Sequence, residues 1–337
     1  MVSAFALTYW GTEFVRRLTV RWNILDVPSA RSSHDTPTPR GGGVVFSILL
    51  LLAAAGLTAA GAPHRDLWIA LLGGGVLVAA VGWLDDYRKL PSFMRLTLYA
   101  LAAGWAVGWI GGLPAVDLGC ATLRLGAAGY VVSWAIILAF TNVYNFMDGI
   151  DGLAAGEGAT VSFAAGALLI SSGEPVLGWV LIGLGAALLG FLRWNWEPAR
   201  IFMGDVGSNL LGFVFATLAL TTGRFSNVSP WVWALLLGVF VVDGFATFGR
   251  RLIRRLPPQQ AHRSHAYQGA VQKGHSHAQV TGVVIGINAL LAALAVAAWL
   301  FESLAVGLVG IAYTVLLGIH FRYSPLGRRG GSRRDTA

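Results

Sequence analysis

Apolar runs long enough to cross a bilayer recur along nearly the whole chain, separated by short connections in which the polar residues collect. Read at the 17 to 25 residues that a membrane helix needs, spans fall near 43–62, 67–83, 94–112, 127–146, 153–171, 175–193, 206–222, 229–248, 279–299 and 303–320. Residues 2–17 make an eleventh, shorter candidate interrupted by Glu13, with neither the basic leader nor the small-residue cleavage site of a signal peptide before it. The runs are continuous. They do not alternate over ten residues as barrel strands do, and in lipid only helices and closed barrels satisfy their own backbone. The pattern therefore predicts an all-α, polytopic membrane bundle of about 11 helices, or 10 if the first is not a full span. A single domain covers 1–337, and a flexible basic tail begins near 322.

Composition agrees. The 337 residues are 55% hydrophobic and 12% charged, half the charge of an ordinary soluble chain. When the 24 Lys and Arg are sorted by alternate loops, 21 fall on one side and only Arg65, Arg124 and Arg224 on the other. Basic short loops stay in the cytoplasm, which orients the bundle. The net charge of +8 then reflects topology and attraction to anionic membrane lipids, not a nucleic-acid footprint. Cys120 falls in an outer loop and has no intrachain partner for a disulfide.

The same sorting sends the unusual polar stretches inward: WLDDYRKLPSFMR (83–95), NVYNFMDGIDG (142–152), RWNWEPARIFMGDVGSN (193–209) and AHRSHAYQ (261–268). Asn142, Asn145, Asp148 and Asp151 are spaced by threes. They drift across half a helix and cannot share one stripe, while Gly149 and Gly152 favour leaving the helix there. Asp148, and likewise Asp85 and Asp86, sit at helix ends where the macrodipole opposes a negative charge. Asp151 and Asp205 each read as a ligand-site carboxylate or as a plain N-cap. Asn142 and Asn145 read as binding groups or as helix-to-helix hydrogen bonds. Arg95, Arg200 and the arginines at 250–255 read as phosphate binders or as topology markers. HRSHAYQ, with His275 and His277 beyond it, suits anion binding better than zinc, because no cysteine is at hand.

Carboxylates and an amide oxygen suit a hard cation, and arginines suit phosphates. Two water-soluble phosphates would not need eleven helices, so one reactant is membrane-borne. The residues point to a lipid phosphate attacking a nucleotide-linked diphosphate at the inner surface. A transporter of an anionic solute is the alternative, although polar groups at a midplane and internal repeats are missing. A CDP-alcohol phosphatidyltransferase is disfavoured because residues 148 to 153 read DGIDGL and not D-G-x-x-A-R.

Taken together, NVYNFMDGIDGLA, WLDDYRKLPSFMRL, ARIFMGDVGSNLLG and RSSHDTPTPRGGG resemble the polyprenyl-phosphate N-acetylhexosamine-1-phosphate transferases (glycosyltransferase family 4), from about residue 24 to 280. The resemblance implies undecaprenyl phosphate and a UDP-N-acetylhexosamine as substrates, Mg²⁺ as cofactor with Mn²⁺ as a substitute, and a bacterial inner-membrane location. It leaves a homodimer open. It implies Asp205 and Asn145 as metal ligands, Arg95 on a phosphate, and Asp85 and Asp86 as the paired aspartates that act on the lipid phosphate. Asp151 is implied on the uracil with Asp148 lining the same pocket, and Asn142 as a further substrate contact. Asp243 is implied near the sugar-side loop that carries His262, Arg263 and His265. HRSHAYQ departs from the HHHFE of the peptidoglycan branch and resembles the O-antigen-initiating transferases, whose UDP-sugars are often 6-deoxy.

The charge split generates a direct expectation. In a chain with Cys120 replaced by serine, cysteines placed at 85, 148, 205 or 265 should resist a membrane-impermeant thiol reagent in intact cells. Labelling at any of them overturns the orientation.

Overall fold

A computed structural model describes residues 1–28, 36–256 and 262–327. In chain order the helices are α1 (Val2–Arg21), α2 (Val44–Ala59), α3 (Arg65–Arg88), α4 (Ser92–Ile110), α5 (Ala128–Met147), α6 (Leu153–Ser171) and α7 (Pro175–Asn195). They continue as α8 (Asp205–Thr221), α9 (Pro230–Leu236), α10 (Gly238–Ile253), α11 (Ala266–Gln272), α12 (His277–Leu300) and α13 (Ala305–Tyr323). Two antiparallel strand pairs, β1 (Leu25–Asp26) with β2 (Thr38–Pro39) and β3 (Ala115–Asp117) with β4 (Thr122–Arg124), brace loops. The protein is an all-α polytopic membrane bundle, and every one of the ten later expected spans falls on helix.

The count of eleven full spans is not confirmed. Among the described residues eight helices are long and apolar enough to cross a membrane, α2 is a shorter apolar helix, and α1 is not among the eight. The expected straight span 229–248 is broken: α9 and α10 meet at Leu237 with a bend of 82°. α10 has a reason to turn. It buries Asp243, Thr247 and Arg251 on one side and exposes Phe245, Phe248, Leu252 and Ile253 on the other. A helix with so distinct a polar face leaves the lipid interior and lays that face on protein. Arg322, where the basic tail was expected to begin, belongs to α13, and residues 328–337 lie outside the described residues.

α8 is the axis of the bundle. All its residues but Ala219 are buried, against α3, α5 and α2. Its polar side chains bond within the helix, Ser208 to the Gly204 carbonyl and Thr217 to that of Phe213, so no hydroxyl is stranded in an apolar environment. The start of α8 is approached very closely. A Cβ on Gly82 of α3 would lie 2.6 Å from the Asp205 backbone, and one on Gly43 would lie 2.6 Å from Gly207 Cα. Small residues at such crossings let backbones touch, and here they bring the ends of α2, α3 and α8 to one point.

Gly82→Val should therefore push α3 off α8. Overpacking of this kind costs about 1–3 kcal/mol, read as a lower thermal midpoint in detergent, with Gly82→Ser less affected. An unchanged midpoint in the valine variant would show that the contact is slack.

Candidate functional site

The polar ends of α3, α4, α5 and α8 converge on one carboxylate. Asp205 is the first residue of α8, yet its side chain makes no capping bond. Its Oδ1 lies 3.1 Å from Arg40 and accepts from Asn145 Nδ2 at 3.1 Å, and its Oδ2 lies 2.9 Å from Arg95. The helix is capped from elsewhere. Asp86 of α3 accepts from the Asp205 and Val206 N–H groups at 3.0 and 3.3 Å and pairs with Arg40 at 2.8 Å. A carboxylate at the positive end of a helix is well placed, and it leaves Asp205 free to face the arginines.

Asp85 and Asp86 are neighbours with separate partners. Asp85 takes Arg95 at 2.6 Å and the Leu90 N–H at 2.6 Å, which satisfies the end of its own helix. Adjacent helical residues point about 100° apart, and here that divergence puts each arginine between two aspartates.

A polar cavity of about 250 Å³ opens beside this cluster. Its walls include Arg40, Asn145, Asp148 and Asp205 at one end and Asp151, Asn195, Gln268 and His277 at the other. The chain leaves α5 at Asp148 and re-enters helix at Leu153, with Gly152 at φ 76°, a conformation glycine adopts without strain. Asp151 does not cap α6. Its carboxylate accepts from the Ala199 N–H at 2.9 Å and stands 3.4 Å from His277 Nδ1, while Asn195 Oδ1 accepts from the Gly152 N–H at 3.0 Å. The hinge between α5 and α6 is thus held by α7, α12 and the 196–200 connection. Burial, reinforced by Asp205 and opposed by Arg40, pushes the Asp148 carboxyl up to about 7.

The structure thus brings Asp85, Asp86, Arg95, Asn145 and Asp205 together and sets Asp148 and Asp151 on the adjoining cavity wall. It does not bring Asn142 there: that side chain donates to the Leu138 carbonyl of its own helix at 2.8 Å. Asp243, His262, Arg263 and His265 form a separate layer behind α11, outside the cavity lining. Asp243 accepts from the Ala266 and Tyr267 N–H groups, and His265 is buried 3.8 Å from it. Burial, with His265 and Arg251 near, pushes the His262 imidazole down to about 3, so it is neutral at physiological pH and its ring stacks on His265 at 5.1 Å. Residues 31–35 of the RSSHDTPTPRGGG stretch lie outside the described residues.

Sequence reasoning gave no site role to Arg40 and Asn195, and it raised Gln268 and His277 only within the segment read as anion-binding. Arg40 was legible as one of many loop cations, and the signal that sets it apart is the GGG after it, which lets its backbone run against α8. Asn195 is an amide at a helix end and carries no signal of its own. Among the described residues no three His, Cys, Asp or Glu side chains form a ready metal cage.

The chain is similar in sequence to known proteins. A family model described as glycosyl transferase family 4 matches residues 68–223. The undecaprenyl-phosphate alpha-N-acetylglucosaminyl 1-phosphate transferase of Escherichia coli K12 is 30% identical over 310 residues, covering 88% of this chain and 83% of that protein. The probable undecaprenyl-phosphate N-acetylglucosaminyl 1-phosphate transferase of Bacillus subtilis is 29% identical over 83% of this chain and 80% of its own length. The decaprenyl-phosphate N-acetylglucosaminephosphotransferase of Mycolicibacterium smegmatis is 29% identical over 87% of this chain and 80% of its own length.

The raised Asp148 carboxyl has a consequence for stability. Its folded value of about 7 lies above the ordinary 3.8, so the folded state holds a proton that the unfolded chain releases. The stabilisation is complete below about pH 4 and is lost as pH rises to about 7. Asp148→Asn, a neutral mimic, should raise the thermal midpoint of the ligand-free protein at pH 8 and lose that advantage near pH 4.5. An advantage that does not change with pH would contradict the shift.

Proposed function

The chain belongs to the polyprenyl-phosphate N-acetylhexosamine-1-phosphate transferases of glycosyl transferase family 4, and on that premise we propose that it moves a HexNAc-1-phosphate from a UDP-sugar to undecaprenyl phosphate. The single observation that carries the reading is Asp205, set between Arg40 and Arg95 beside Asn145 at the mouth of a polar cavity. An oxygen of the lipid phosphate attacks the sugar-linked phosphorus of the donor, the bond from that phosphorus to the bridging oxygen breaks, and UMP leaves. Arg40 and Arg95 bind and orient the phosphates. Asp85, already held by Arg95, is placed to order the incoming lipid phosphate or take its proton, while Asp86 keeps the start of α8 in place.

The donor atoms fit Mg²⁺, with Mn²⁺ as a substitute. Asp205 would hold the cation, and so would the amide oxygen of Asn145, whose Nδ2 is engaged by Asp205 and Ser208. Mg²⁺ uses one or two carboxylates together with substrate phosphates, so a full protein cage is not required. Charge favours it as well: two arginines face three carboxyl groups, and two phosphate-bearing substrates bring further negative charge to the cluster. Bound there, the cation would neutralise charge that develops on the departing phosphate.

The excess of basic residues on the connections that carry the site supports a cytoplasmic-facing active site in a bacterial inner membrane. HRSHAYQ supports a UDP-HexNAc, often 6-deoxy, and the start of an O-antigen-like surface polysaccharide.

The test is the purified protein with undecaprenyl phosphate, Mg²⁺ and a panel of UDP-HexNAc donors, following UMP and the lipid product. Turnover is expected with at least one donor, whereas vectorial uptake of a solute into vesicles without UMP release would replace the reading with a transporter. Asp205→Asn should keep its fold, lose the thermal shift that Mn²⁺ with UDP-sugar gives the parent, and fall about 10²-fold or more in rate. Turnover near the parent's would remove Asp205 from the metal site.

A further inference from the structure

The last membrane helix reaches into the layer behind the cavity through one residue. His320 of α13 is 1% exposed, with Nδ1 2.8 Å from Asp243 Oδ1 and Nε2 3.2 Å from Arg250 Nη1. A guanidinium can only donate. Nε2 therefore accepts from Arg250, and Nδ1 carries the proton and donates it to Asp243. Arg250 and Asp243 lie two turns apart on α10, so that helix grips the imidazole by both nitrogens. A polar side chain buried this completely inside a membrane bundle is costly unless it has a task.

The task is visible on the far side of Asp243. The same carboxylate accepts from the Ala266 N–H at 2.9 and 3.1 Å, from the Tyr267 N–H at 3.4 Å and from Thr247 Oγ1 at 3.3 Å. The first amides of α11 are thus tied to α10 by a group that α13 holds still. α13 adds two direct ties, Ser324 Oγ to the Ser264 carbonyl at 2.8 Å and the Lys273 ammonium to the Arg322 carbonyl at 2.7 Å. It also packs its Tyr323 carbonyl where a Cβ on Gly269 would have to go.

On its other face α11 meets the cavity. The Tyr267 hydroxyl donates to the Phe146 carbonyl at 3.0 Å, two residues before Asp148. Gln268 lines the cavity, and its Oε1 accepts from the His265 N–H at 3.2 Å, so its amide NH₂ is the part left to offer a ligand.

We propose that His320 is a positioning residue for the transfer reaction: through Asp243 it fixes α11, and so sets where Gln268 meets the donor. The proposal rests on the reading of the polar cavity as the donor site. His320 touches no substrate, and its effect is confined to donor binding.

Asparagine in place of histidine keeps an N–H near the position of Nδ1, whereas leucine keeps bulk and loses the donor. Hydrogen exchange in the ligand-free protein is the first readout. His320→Leu should speed exchange of the amides of residues 265–272 by about 10-fold or more, the loss expected when a local opening becomes easier, with the α3 and α8 amides unchanged and His320→Asn like the parent. Kinetics are the second. The leucine variant should raise donor KM about 10-fold with kcat and acceptor KM within about 2-fold, as removal of uniform donor binding requires, and asparagine should restore it. If leucine prevents folding, His320→Gln, whose donor is moved out along the side chain, carries the same two readouts. Parent-like α11 exchange in the folded leucine or glutamine variant overturns the clamp. Faster exchange with an unchanged donor KM reduces His320 to a structural residue and overturns its role in positioning. The exchange result needs no turnover, so a protein that used no UDP-sugar would fail the functional reading without hiding the outcome for the clamp.

Discussion

The N-terminus of α8 must meet a negative charge, and that charge comes from another helix. Its first amides have no partner within the helix, and they sit among helices where water cannot stand in. Asp86 reaches across from α3 to accept from two of them. A cap contributes about 0.5–2 kcal/mol. Stripping one partner from a buried ion pair costs about 3–5 kcal/mol, so the arginines that hold the aspartates matter more than the cap itself. Arg40 binds Asp86 and Asp205 together and thereby anchors the 36–43 segment, while Arg95 binds Asp85 and Asp205 and anchors α4. Take away the close approach of Gly82 to α8 and Asp86 no longer reaches those amides.

This arrangement explains which readings of the chain succeeded. The spans were legible because burial in lipid imposes a coarse rule, uniform apolarity over some twenty residues. The break at Leu237 escaped that rule. Residues 229–248 are apolar on average, and only the three-dimensional neighbours of Asp243 and Thr247 show that one face of α10 needs protein partners. The capping readings of Asp151 and Asp205 failed for a related reason. Capping preference is a local statistic, but α8 takes its cap from a residue 119 positions earlier, and Asp151 spends its carboxylate on the 196–200 connection.

The charged part of the site was readable, since carboxylates at membrane-helix ends stand out against an apolar chain. Asp85 and Asp86 diverge as helix geometry requires, and Asn145 lands beside Asp205. Its neighbour Asn142, equally conspicuous in the sequence, turns back on its own helix. Nothing in a three-residue spacing could have separated the two, because which face of α5 meets α8 is decided by packing against Phe215, Phe240 and the rest of the core. His320 was less visible still: an isolated histidine near the end of an apolar span acquires meaning only from Asp243, 77 residues away.

The two ends of the cavity are built from different chemistry, and that difference bears on what the sequence could say. One end concentrates formal charge: Arg40, Asp148 and Asp205 on the wall, with Arg95, Asp85 and Asp86 behind them. Phosphates meet such a cluster whatever sugar or base they carry, so these residues speak to the kind of reaction. At the other end amides and an imidazole, Asn195, Gln268 and His277, accompany the Asp151 carboxylate, fixed by bonds that run through α7, α11 and α12. Such hydrogen-bonding groups discriminate by leaving a mismatched partner unsatisfied, and their selectivity depends on tenths of an ångström. It is set by supports such as Asp243 that never face the ligand. Reaction class is therefore written in residues that a sequence displays openly. Under the proposed function, the choice of sugar falls to the placement of a seven-residue helix, α11, and to the helices that hold it.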